Sequence, residues 1–121
     1  MQHRDKIILQ KIVSEINIAE DMLGTCDLDK FLNDEKLKRA VSMTIINIGE
    51  LIKNISDEMR VEHNEVPWKD AAGMRDITAH RYQTLRMEDV YSSAKIDFPQ
   101  IKQQLLNILN ENDDKSEDNN I

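Results

Sequence analysis

Apolar residues recur with helical spacing in three long stretches of this chain. Leu9, Ile12, Ile16, Ala19 and Leu23 follow one another at 3, 4, 3 and 4 residues. That spacing lines one face of a helix, predicted over about Arg4 to Leu23. Gly24 behind it is a stop signal. Val41, Ile45, Ile48, Ile52, Ile55 and Met59 repeat at 4, 3, 4, 3 and 4. They predict one long helix from Asn33 to Glu62, with Asn33 or Asp34 as its N-cap. Met43 and Ile46 widen its stripe, so it should pack on more than one neighbour.

His63-Asn64-Glu65-Val66 reads as a loop. Pro67 then opens a third helix at the first position, where its missing N–H costs nothing. That helix should run to about His80. Gly73 lies inside it, at a cost of about 1 kcal/mol relative to alanine; close approach of another helix would explain its presence. A final helix starts near Met87 or Glu88. Its stripe is Tyr91, Ala94, Phe98, Ile101, Leu105 and Ile108. Pro99 should kink or split it. Beyond Leu109 the periodicity ends. The expected organisation is one helical domain over residues 1–111 and an acidic, disordered tail over 112–121.

Four amphipathic segments on short loops predict an all-α antiparallel bundle. With only three glycines and two prolines, there are few turn signals for a sheet of short strands. A chain of 121 residues suits one domain with its own core. The stripes are more apolar than a lone bundle of this size needs, so a homodimer is expected. The one cysteine, Cys26, excludes an internal disulfide and reads as a small buried hydrophobe. The N-terminal Met-Gln-His-Arg-Asp-Lys lacks the apolar run of a signal peptide. No stretch nears the ~20 apolar residues of a spanning helix. The expected location is the cytoplasm, with no membrane partner.

Charge first argues against nucleic acid, since the formal net is −7. Its distribution changes that picture. Residues 111–121 hold five acids and one lysine, a net of −4, which leaves −3 for the other 110 residues. Between Pro67 and Met87 the sign reverses, with Lys69, Arg75, Arg81 and Arg86 against Asp70 and Asp76. Exposed charges more than ~10 Å apart are screened at ordinary salt, so a positive site can exist on an acidic protein.

The candidate chemistry lies in that segment. Asp76 and His80 are i and i+4 and share a helix face, where the carboxylate can set the imidazole's tautomer. Arg75 and Tyr82, seven apart, share another face if the helix persists. Arg75 and His80 are five apart, about 140° around a helix of ~3.6 residues per turn. A site using both needs an oblique groove or a second subunit. The same residues also suit a plain helix end, because a histidine there is favoured by the helix dipole. A metal hydrolase is a weak reading: His3, His63 and His80 are dispersed, and there is no His-x-x-x-His or cysteine pair.

Arg75-x4-His80-x-Tyr82 resembles the signature of HEPN proteins of the HepT type. Ile48-Gly49-Glu50, Val66-Pro67-Trp68, Ala72-Gly73-Met74-Arg75-Asp76 and Asp97-Phe98-Pro99 resemble that family too, in the same order, over about residues 4–110. Gln83-Thr84 depart from the Phe-Gly that often follows the tyrosine. The resemblance implies a HEPN-like bundle of four or five helices, dimeric, with a metal-independent ribonuclease site shared between two copies. It implies Arg75 and His80 as catalytic residues, Asp76 as the group orienting His80, and no cofactor. It further implies a bacterial toxin whose partner is an MntA-type minimal nucleotidyltransferase antitoxin that adenylylates Tyr82. The alternative is a non-catalytic HEPN module that holds nucleotide or substrate for a nucleotidyltransferase.

Overall fold

The computed structural model of the chain describes residues 1–73 and 86–119, with side chains through residue 112. Every regular element among them is helical: α1 (His3–Leu23), α2 (Leu28–Leu32), α3 (Glu35–Lys53), α4 (Asp57–Glu62), α5 (Trp68–Ala72), α6 (Met87–Ser92), a π-helical turn (Ser93–Asp97) and α7 (Phe98–Asn119). The all-α bundle expected from the spacing is the observed architecture. Its centre is α3, which packs on α1, α2, α5 and α6, while α1 also packs on α7.

The predicted stripes are the core. Leu9, Ile12 and Ile16 of α1, Val41, Ile45, Ile48 and Ile52 of α3, and Leu105 of α7 are all shut off from solvent. Full burial of each such side chain contributes about 1.5–3 kcal/mol. Gly24 ends α1 with φ +50°, a region L side chains rarely adopt, and its N–H donates to the Glu20 carbonyl. Asp34, of the two predicted candidates, caps α3: its carboxylate accepts from the Leu37 N–H at 3.0 Å. Pro67 stands one residue before the first helical residue of α5 rather than in it, and its carbonyl accepts from the Ala71 N–H.

The expected single helix from Asn33 to Glu62 is two helices. Buried Asp5 of α1 accepts from the Ser56 N–H at 3.0 Å and from the Ser56 hydroxyl at 2.6 Å. Ser56 Oγ in turn accepts from the Met59 N–H and caps α4. An N-cap has extended, not helical, backbone, so this cluster breaks the ladder between Lys53 and Asp57. Ile55 and Met59 remain buried across the break, which is why the apolar spacing gives no sign of it.

The apolar spacing gives no sign of helix α2. It is one turn long, too short to show a period, yet it carries Phe31, which is fully buried. The Phe31 ring lies 5.4 Å from that of Tyr91, tilted by 44°. Tyr91 is structural, as expected, and its hydroxyl donates to the Cys26 carbonyl. Cys26 itself is half-buried rather than fully enclosed.

The final segment is split, as Pro99 predicts, and the split takes a particular form. A proline ring clashes with the carbonyl four residues earlier and offers no N–H to it. The wider π turn over Ser93–Asp97 sits where that conflict falls. Helix α7 then continues to Asn119, so its end does not mark the boundary expected at residue 111.

Candidate functional site

Arg75, Asp76, His80 and Tyr82 lie outside the described residues, and with them the expected Asp76–His80 pairing. What the structure describes is the frame on both sides. Upstream, Trp68 is buried, and its indole N–H donates to the His63 carbonyl at 3.0 Å. Val66 and Ala71 are buried beside it. Trp68 therefore anchors packing. Downstream, Arg86 caps α6, its carbonyl accepting from the Asp89 and Val90 N–H groups. Val90 is fully buried, and buried Ser42 of α3 places its hydroxyl 3.8 Å from Met87 Sδ. Both flanks are thus seated on α3.

No described atom comes within 4 Å of a Cβ built on Gly73, so the described residues do not supply the close approach expected at that glycine. His63, in the segment that reads as a loop, is largely covered, with Nδ1 3.4 Å from Glu65 and Nε2 3.9 Å from Glu62. It closes the loop that carries the chain into α5.

Two concavities meet at the start of α5. One, of about 550 Å³, runs between α5 and the π turn with α7. Its rim carries Glu65, Asp70 and Asp97, over a floor that includes Phe98 and Ile101. The other, of about 330 Å³, lies where α4 meets α5 and is lined by Arg60, Asn64, Lys69 and Asp70. Sequence reasoning overlooked Arg60. It is nine residues from Lys69, across a loop and a helix break, and no periodic pattern links them. Among the described residues no group of three potential metal ligands converges. No helix among them is long and apolar enough to cross a membrane.

The frame, the motif and the order of the surrounding blocks define a helical protein of the HEPN class. The model of the family "Ribonuclease HepT-like" matches residues 12–108, and the chain belongs to that family. A Thermococcus cleftensis protein named "Probable ribonuclease HepT" is 31% identical over 102 residues, 84% of this chain and 93% of its own length. A Caldanaerobacter subterraneus protein, provisionally named an RNase, is 31% identical over 84% of this chain and 90% of its own. A Methanocaldococcus jannaschii protein, named as a gamma-glutamylcyclotransferase and provisionally as an RNase, is 35% identical over 89% of this chain. This chain spans about half of that relative, 49% of its length. No solved structure matches the chain.

Proposed function

We propose that this chain is a metal-independent endoribonuclease, the toxin of a toxin–antitoxin pair, acting in the cytoplasm as a homodimer. The reading rests on one joint observation: the family match spans residues 12–108 and contains Arg75-x4-His80-x-Tyr82 intact. The relatives' names supply the substrate class, RNA. The bundle domain is taken as residues 1–111, with the acidic segment 112–121 appended to it. Exposed Ile7 and Ile18 favour a second copy. They are eleven residues apart, hence on one face of α1, and Met43 of α3 is exposed as well.

RNA carries its own nucleophile. One His80, as general base, takes the proton from the 2′-hydroxyl. The 2′-oxygen bonds to phosphorus and the bond from phosphorus to the 5′-oxygen breaks. The partner's His80, as general acid, returns a proton to the leaving 5′-oxygen. The products are a 2′,3′-cyclic phosphate and a free 5′-hydroxyl. Arg75 from each copy clamps the phosphoryl oxygens as negative charge builds on them. Asp76 orients His80. Tyr82 contacts the substrate, and an AMP attached there by an MntA-type nucleotidyltransferase antitoxin blocks the cleft by bulk and charge.

The test is incubation of single-stranded RNA with the purified protein in EDTA. Cleavage to cyclic-phosphate ends is expected, with loss of cleavage in His80→Ala and an unchanged helical circular dichroism spectrum. A folded His80→Ala variant of full activity would refute the mechanism. Binding of RNA without any cleavage would favour the non-catalytic module instead. Intact mass after co-expression with a neighbouring nucleotidyltransferase checks Tyr82, where additions in multiples of AMP are expected.

A further inference from the structure

Affinity for RNA comes largely from cations meeting phosphates. This chain carries −7, so where its cations are unopposed matters. At the start of α5 the described surface divides by sign. The groove toward α7 presents Glu65, Asp70 and Asp97 and no cation. The depression toward α4 presents Arg60 and Lys69 against Asp70 alone.

The two cations of that depression line it together, and each is held differently. Arg60 is half-buried, and its Nη2 donates to the Ile52 carbonyl at 2.7 Å. A guanidinium has about five N–H donors, so one carbonyl holds its plane and leaves the rest to a ligand. A group fixed in this way loses less freedom when it binds. Lys69 is exposed on α5, six residues before Arg75 in the sequence. No carboxylate among the described residues forms an ion pair with either. Lys11, Lys36 and Lys53 likewise have no ion pair among the described residues, so what distinguishes Arg60 and Lys69 is that they line one depression.

We propose that the depression formed by Arg60, Asn64 and Lys69 is a phosphate subsite for single-stranded RNA, in which Arg60 and Lys69 each meet a backbone phosphate of the strand. The proposal rests on the ribonuclease reading and adds a direction to it. The strand favours the α4–α5 corner over the groove toward α7, because there Glu65 and Asp97 join Asp70 in repelling phosphates. Asn64, which also lines the depression, supplies a neutral amide donor.

The test is the salt dependence of binding of a labelled, unstructured RNA 12-mer, followed by fluorescence anisotropy in a His80→Ala background that prevents cleavage. Each phosphate contact removed should lower the slope of log K against log salt by about 0.7 for a single strand. Arg60→Gln removes the charge and keeps an amide donor on a shorter side chain. The pair Arg60→Gln and Lys69→Gln should flatten the slope by about 1.4. With His80 intact, the same pair should raise KM and leave kcat unchanged. Lys69→Gln alone, at an exposed site, should flatten the slope by about 0.7 and decides the matter if Arg60→Gln disturbs folding. An unchanged slope in a protein that binds RNA, and cleaves it with His80 intact, overturns the subsite and spares the ribonuclease reading. Protein that neither binds nor cleaves RNA overturns both.

Discussion

Asp5 offers the most direct check on how this fold holds the corner that leads into the motif. Its carboxylate is 3% exposed, so water cannot replace it. It accepts two hydrogen bonds from Ser56, at 3.0 and 2.6 Å. Asp5→Ala removes both acceptors and strands the Ser56 N–H. Hydrogen bonds to a charged group contribute about 1.5 kcal/mol each at the low end, so the loss should be roughly 3 kcal/mol. With an unfolding entropy of about 2.1 cal/mol/K per residue, a chain of this length unfolds with about 0.25 kcal/mol/K. The melting temperature should therefore fall by about 12 °C. Asp5→Asn keeps one acceptor and should fall by about half as much. Thermal denaturation followed by far-UV circular dichroism measures this, at one protein concentration, because the stability of a dimer depends on concentration. An Asp5→Ala protein melting within about 3 °C of the parent would refute the account of the α3–α4 break.

Three further substitutions probe the frame. Phe31→Ala should cost about 3–5 kcal/mol in a denaturant titration, since the ring is fully buried against Tyr91. Tyr91→Phe removes the donor to the Cys26 carbonyl and should cost about 1 kcal/mol by the same measurement, with the ring packing preserved. Gly73→Ala meets no described atom within 4 Å, so unfolding should show stability unchanged or raised by up to about 1 kcal/mol. A marked loss of stability there would place a neighbour against Gly73 after all.

Much of this protein was legible in its spacing. The apolar stripes of α1, α3 and α7 became the core because a period near 3.6 residues is set by the backbone itself. Gly24 and Asp34 announced helix ends by chemistry that acts within four residues. The motif from Arg75 to Tyr82 was legible as residue types and separations, and so was the family it marks. Helix α2 escaped because five residues show no period, and its single core residue, Phe31, is recognised only by what packs on it.

The break at Ser56 and the corner at Arg60 belong to tertiary structure alone. Asp5 and Ser56 are 51 residues apart, and the period of the apolar residues runs through the break undisturbed. Only the packing of α1 on α3 brings that carboxylate to the point where the ladder must open. Once α4 turns there, Arg60 and Lys69 line one depression, Glu65 and Asp97 line the groove toward α7, and Asp70 borders both. A linear sequence counts these charges and sums them to −7. The sign that a ligand meets at each face depends on which side chains the fold sets together, because charge acts over about 10 Å of space and not along the chain.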